Sequence, residues 1–486
     1  MENRSYSSRR AQPVNYAESS DDEDVQELYG HDEYNYDDGW SSVDEDEIVE
    51  IERTTQVQYR SAASTVQPYE VLQPISDSEL TIHIMIPSLP TNFLVPIDDL
   101  FNPILVYEKL FEQSINDIYE YNRDRYQEHI IEKIRSSTST RFTTIYQPLT
   151  LADIYAFIGA IYIMDIYRFP KLDMYWGYSG SILEINQISK SISLNKFIHI
   201  RQCIGMPHQD KLFQSICRAS SDIIQRSPQL AIDEQLKLFK GRYVNKVTID
   251  KKPAGTGVKS YLVGDSNTKL PIWYSIDGKG ESNETINNMG QYASVAASMV
   301  TCYSNSQLFV DNLYTTLELL KYCQSKSIEV VGTVRYNNLP KSLKPLYLEF
   351  KKLKQNRAQG YRDSKPIVEL ISKSYKIDNC FYTFVKDNGC FCIATNSQTI
   401  YQKGKYISLC KLTVDQRKAF KVEEFEIYKL VPYSVGLYNQ KMNAIDIIDQ
   451  LISAHERHQR QSKWTLAYMY TAIRMAETAA FTIFRL

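Results

Sequence analysis

At Leu230 the hydrophobic period of this 486-residue chain changes, and that change constrains its architecture more than any other feature. Upstream, residues 100 to 225 repeat apolar positions at helical spacing. Leu105, Tyr107, Leu110 and Phe111 form one such run; Ile154, Phe157, Ile158 and Ile161 form another, which follows Thr150, a suitable cap. Downstream, QLAIDEQLKLF, KSYLVGDS, LPIWYSID and SQLFVDN are short, rich in apolar or β-branched residues, and bounded by Gly, Asn, Asp or Lys. They read as strands of one sheet. A helix over Thr315 to Gln324 and the strand IEVVGTV come next, and strands followed by helix and strand predict an α/β layer rather than an all-β sandwich. Residues 337 to 424 interrupt the pattern. They are rich in Lys, Asn and Ser, carry the basic run KKLKQNR at 351–357 and two strands, FYTFVKD and FCIATN, and read as an insertion. Helix resumes at about Ala444 and continues to the end.

Charge divides the chain a second way. Residues 1–52 hold 17 Asp or Glu against three Arg, and since the whole chain is −3, residues 53–486 carry +11. Runs such as Asp21-Asp22-Glu23-Asp24 repel one another and bury little, so the segment to about residue 75 is expected to be an acidic disordered tail. Such a tail is a solubilising leader or a competitor of nucleic acid for the basic body.

Several classes are disfavoured. MENRSYSSRRAQ has no apolar stretch of the kind that directs secretion. Trp464 to Leu486 contains Arg474 and Glu477 and reads as an amphipathic helix, so no membrane span is expected. Eight scattered cysteines suit reduced thiols. The CxC pair Cys390 and Cys392, with Cys380 and Cys410 nearby, reads better as strand packing than as a zinc site, and His455 with His458 sits in a basic helix beside Arg457 and Arg460. No GxxxxGK loop is present, so no nucleotide cofactor is expected.

Three carboxylates are harder to assign to folding. Asp233 interrupts an apolar strand, Asp311 ends the strand QLFVD, and Asp446 opens the helix AIDIIDQLI with Asp449 one turn later. Singly, each has an ordinary reading as a turn, cap or helix-dipole residue. Jointly, they suit phosphodiester chemistry, in which two Mg²⁺ ions about 4 Å apart activate the attacking oxygen and neutralise the leaving one. Magnesium takes carboxylate oxygen and keeps several waters, so a few Asp suffice without His or Cys.

AIDEQLKLFKGR, KKPAGTGVK, LVGDSNTK, LFVDNLYTT, VVGTVRYNNLPKSL and GLYNQKMNAIDIIDQ, then Trp464, occur in an order and spacing that resemble the piggyBac transposase family. The resemblance spans roughly residues 88 to 486, because PLTLADIYAFIGAIYIM, MYW at 174–176 and LNKFIHIRQCI are also similar to that family's N-terminal helices. It implies an α/β fold: a ribonuclease H-like catalytic core with an inserted β-containing domain, flanked by an all-helical dimerisation and DNA-binding region. The implied division is an acidic tail at 1–75, helices at 76–228, core at 229–336 and 425–456, insertion at 337–424, and C-terminal helices at 457–486 packing on the helical region.

The same resemblance makes Asp233, Asp311 and Asp446 the ligands of two Mg²⁺ or Mn²⁺ ions, with Asp449 a further catalytic acid and Trp464 a tryptophan near the site. The expected DNA contacts are Lys240, Arg242, Lys252, Lys259, Arg457, Arg460, Lys463 and Trp464. The implied activity cuts transposon ends, passes through DNA hairpins and joins a 3′ hydroxyl to TTAA in double-stranded DNA, by a homodimer in the nucleus. A domesticated or decayed relative that binds DNA without mobility is the alternative. Two departures stand out. No cysteine follows Cys410, so the family's zinc module is not expected, and Asn443-Ala444 and Gly255-Thr256 replace the usual glycine pair and basic-aromatic pair.

Overall fold

In the computed structural model the described residues are 67–69, 93–96, 102–136, 147–178, 185–206, 211–243, 245–249, 255–276, 289–354, 360–362, 364–387, 389–412, 414–422, 424–454 and 463–486. Of the segment to about residue 75 expected as a disordered tail, residues 67–69 instead form a strand paired with the large sheet, and the acidic run at 1–52 lies outside the described residues. Strand β1 (Gln67–Tyr69) is followed by five helices: α1 (Pro103–Ser136), α2 (Leu151–Ile166), α3 (Asn186–Ser191), α4 (Leu194–Cys203) and α5 (Lys211–Ile223). Thr150 caps α2 as the sequence suggests. Its hydroxyl accepts from the Asp153 amide at 3.2 Å, and the Asp153 carboxylate accepts from the Thr150 amide at 2.8 Å, satisfying two amides that the first turn leaves unpaired. Asn122 then ties α1 to the segment after α4: its side chain accepts from the Gly205 amide at 2.7 Å and donates to the Gly205 carbonyl at 3.0 Å, so a buried amide is fully used.

The strands follow as β2 (Gln229–Leu238), β3 (Lys246–Thr248), β4 (Thr256–Asp265) and β5 (Pro271–Ile276); then α6 (Gln291–Val300), β6 (Gln307–Val310), α7 (Leu317–Ser325) and β7 (Glu329–Val334). After α8 (Lys344–Lys351) come β8 (Gly360–Arg362), β9 (Lys365–Glu369), β10 (Ile371–Ile377), β11 (Cys380–Lys386), β12 (Cys390–Thr395), α9 (Gln398–Gln402), β13 (Lys405–Lys411), α10 (Val414–Phe420) and β14 (Glu426–Pro432). Three helices, α11 (Tyr433–Lys441), α12 (Ala444–Ala454) and α13 (Trp464–Arg485), complete the fold.

One large sheet dominates, with strand order β1-β10-β11-β12-β7-β6-β2-β4-β3 and β5 also on β4. Its centre, β2-β6-β7, is parallel, and its other pairings are antiparallel. Residues 371–395, inside the segment expected as an insertion, extend this sheet through β12 on β7. The rest of that segment, with β14, supplies a second sheet in the order β13-β14-β9-β8. Side-chain alternation gives each face its own core. Leu230, Ile232, Leu308 and Val310 face α6, α7 and α8, whereas Ala231, Phe309 and Val331 face the second sheet and α11.

The helical region closes on the sheet through α13. Fifteen of that helix's 22 residues are buried, so it is a core helix rather than the expected amphipathic one. Arg474 is tolerated there because it pairs with buried Asp165 of α2. Among the described residues no helix is long and apolar enough to cross a membrane.

Gly332 sets the closest approach of β7 to β6. A Cβ there would lie 2.7 Å from Val310 Cγ2 and 2.8 Å from the Val310 carbonyl, and would also strike the Thr315 hydroxyl. Gly332→Ala is therefore expected to destabilise the fold by about 1–3 kcal/mol through overpacking against backbone. The chemical-denaturation midpoint checks this; an unchanged midpoint would show that β6 and β7 can part without cost.

Candidate active site

The parallel register of the central strands aligns Ile232, Val310 and Gly332. One residue further along each strand come Asp233, Asp311 and Thr333, all on the face occupied by α11 and α12. Asp233 is part-buried and accepts from the Glu234 amide at 2.7 Å. Asp311 opens a tight turn: its carboxylate accepts from the Leu313 amide, and its carbonyl accepts from the Thr315 hydroxyl at 2.8 Å. Beside that turn, Arg335 Nε donates to Asn312 Oδ1 at 2.6 Å.

Tyr438 of α11 reaches down to this level. Its buried hydroxyl lies 3.4 Å from Thr333 Oγ1. Burial raises its pKa first, and the negative charges of Asp311, Asp233 and Asp446 raise it further. Three carboxylates from β2, β6 and α12 thus act on one buried hydroxyl. Among the described residues no group of three or more His, Cys, Asp or Glu side chains is placed to hold a metal ion. Tyr314, in the core on the opposite face of the sheet, has its hydroxyl pushed up by burial and then by Asp233, Glu234 and Asp311.

Asp449 keeps different company. Helix α12 lies on the sheet with Ile445 and Ile448 against Gly264, where a Cβ would come within 2.8 Å of Ile445 Cδ1. One turn beyond Asp446, Asp449 accepts from Gln235 Nε2. Half-buried Lys237 is the next residue on that strand face. Desolvation lowers its pKa to about 7 against the opposing pull of Asp449. Asp449 also acts on the Tyr274 hydroxyl, whose pKa burial has already raised.

The expected DNA contacts separate into three groups. Lys240 and Arg242 line an open concavity of about 560 Å³ together with Gly241, Tyr243 and Lys246. Trp464 stands beside it, its ring 4.5 Å from that of Tyr243, and Lys463 donates to the Gln202 carbonyl. Lys259 does not reach this surface. It is buried in an ion pair with Glu234 at 2.8 Å and lies 4.5 Å from the Tyr292 ring, because alternation on β4 turns it inward, a consequence that motif position alone does not reveal. Lys252, Arg457 and Arg460 lie outside the described residues. Sequence reading passed over Tyr438, Gln235 and Lys237; for the last two the signal was present, since they sit two and four residues after Asp233 and so share its face.

Residues 123–481 match the family model described as Transposase IS4. Among solved structures, the chain is similar to one described as a cryo-EM structure of the piggyBac transposase synaptic complex with hairpin DNA, at 19% identity and a TM-score of 0.57. That similarity covers 79% of this chain and 75% of that one.

The lowered proton affinity of Lys237 has a measurable consequence. Between about 7 and the ordinary value of 10.5 the unfolded chain holds a proton that the folded chain has released, so stability rises with pH across that window. The cost of burying the charged amine is fully present below about 7. Lys237→Met is expected to melt above the wild type, with the gap largest near neutral pH and shrinking toward pH about 10. Melting curves at both ends of the window check it, and a gap independent of pH contradicts the assigned cause.

Proposed function

The chain belongs to the piggyBac-type transposase family, and from that premise we propose that it cuts and joins double-stranded DNA at TTAA by two-metal phosphodiester chemistry. The observation that carries this reading is the parallel register that sets Asp233 and Asp311 side by side at the ends of β2 and β6, with α12, which carries Asp446, packed on the same face. Supporting it, β5-β4-β2-β6-β7 form a run of three antiparallel-linked and three parallel-linked strands sharing β2, with α12 laid across them, which fits a ribonuclease H-like core. On this reading 229–336 and 425–456 are the core, 337–424 is the insertion, and the helices of 76–228 with 457–486 serve dimerisation and DNA binding.

The donor set fits the proposed ions in its chemistry, although among the described residues no three ligand side chains are grouped to hold one. Asp233, Asp311 and Asp446 offer only carboxylate oxygen, the chemistry that Mg²⁺ and Mn²⁺ prefer. When bound, two such ions supply activation of the attacking oxygen and charge neutralisation on the leaving one. The chain's own residues do the positioning. The Asp311 turn and the β2 ladder fix two carboxylates, α12 carries the third, and Tyr438 and Thr333 place two hydroxyls 3.4 Å apart on the same face.

Lys240, Arg242 and Lys246, just beyond the end of β2 and at the start of β3, offer cations to backbone phosphates. Tyr243 and Trp464 add aromatic faces beside them. The substrate implies a nuclear protein.

Asp311→Asn tests the reading with little steric change, because an asparagine Oδ1 still accepts from the Leu313 amide. The variant is expected to fold and to bind duplex DNA as the wild type does. It should lose Mn²⁺-dependent nicking of TTAA-containing plasmid by more than about 100-fold, the upper range for disturbing a ligand's supporting partner. Nicking at a comparable rate would remove Asp311 from the site.

A further inference from the structure

We infer that Gln235 and Lys237 are positioning residues, which clamp Asp449 and thereby set helix α12 so that Asp446 meets Asp233 and Asp311. The inference rests on the proposed two-metal reading and concerns how its third carboxylate is placed.

Apolar packing holds α12 down on the sheet but gives its carboxylates no partner. Ala444, Ile445, Ile448 and Ile452 are buried, and Ile445 and Ile448 pack closely on Gly264. Apolar contact is non-directional, so it does not fix where a polar side chain on the helix points. A hydrogen bond is directional, and the one from Gln235 Nε2 to Asp449 fixes both height and rotation. Asp446 and Asp449, three residues apart, share a helix face and differ in height by about 4.5 Å.

The sheet side of the clamp is built to match. Asp233, Gln235 and Lys237 alternate onto one face of β2, and successive members stand about 6.7 Å apart. The strand that carries the first carboxylate therefore also carries both groups that hold the helix of the third. Asp446 is referenced to Asp233 through two rigid elements rather than through a loop. Lys237, next after Gln235 on that face, lies within reach of the Asp449 charge, which opposes the lowering of its pKa by burial. In this arrangement Asp449 works through α12 and is not itself a ligand.

Mn²⁺ titration of the full-length protein, with free Mn²⁺ followed by electron paramagnetic resonance, tests the clamp without relying on DNA cleavage. Wild type is expected to bind Mn²⁺, and Asp233→Asn to abolish that binding. Gln235→Ala and Lys237→Met should each weaken affinity about 10-fold or more at unchanged stoichiometry and unchanged circular dichroism. Lys237→Arg should restore most of the loss. Asp449→Asn should add nothing once Gln235 and Lys237 are both replaced, since the three act as one unit.

Wild-type affinity in both Gln235→Ala and Lys237→Met would overturn the clamp while leaving the two-metal reading intact. So would an equal cost of Asp449→Asn on both backgrounds with reduced stoichiometry, which would make Asp449 a ligand. No Mn²⁺ binding by the wild type would overturn the two-metal reading and the clamp with it.

Discussion

The proposed site needs three like charges near one another, and backbone hydrogen bonding across β2, β6 and β7 holds two of them, Asp233 and Asp311. Carboxylates brought together repel, each raising the cost of ionising the next. Flexible loops would relieve that repulsion by moving apart. Here two of the three are attached to adjacent parallel strands whose register is fixed up to the preceding residue by Ile232, Val310 and Gly332. The sheet is in turn anchored on both faces by separate apolar clusters, so neither strand can shift without exposing core.

The helical region contributes to the same rigidity from a distance. Phe213 of α5 stacks on Tyr274 of β5 with centroids 3.9 Å apart, and the Tyr468 hydroxyl of α13 donates to the Val258 carbonyl of β4 at 3.1 Å. Ile445, Ile448 and Ile452 of α12 belong to that same cluster. Helix α12 is therefore wedged between the sheet and the helical region, and a carboxylate on it inherits the stiffness of both. Arg474 of α13 is part of this wedge, and its pairing with Asp165 leaves neither charge buried alone.

Local pattern was legible in the sequence, and non-local pairing was not. The strands β2, β4, β5, β6 and β7, the Thr150 cap and the position of Asp311 at a strand end all follow from residues a few positions apart. That β12 would join β7, drawing residues 371–395 into the large sheet, depends on partners some 60 residues distant and on no local signal. Lys259 shows the same limit at one residue. Its motif suggested a phosphate contact, yet β4 is covered on both faces, and Glu234 lies on the neighbouring strand to receive it. That Asp233 and Asp311 share one face was within reach of sequence, but the Tyr438 hydroxyl beside Thr333 was not, because α11 arrives there only after the second sheet has turned the chain back.

The two departures from the family's motifs find local compensation in the structure. Ala444 begins α12 fully buried among side chains of the second core, where its methyl group packs and favours helix more than glycine would. Asn443 before it stands 3.4 Å from Lys269 Nζ as an acceptor, so the turn gains a polar tie in place of glycine's freedom. Gly255 takes φ +60°, a conformation that strains residues with a Cβ, and Thr256 then meets Thr248 across the β3–β4 pair at 3.0 Å. A basic side chain at that position would have offered a charge to phosphate; the threonine pair instead stiffens the hairpin whose other end carries Lys246. The cation is not replaced at its own position, so binding in this part of the surface falls to Lys240, Arg242 and Lys246, which the stiffened hairpin holds in one concavity beside Trp464.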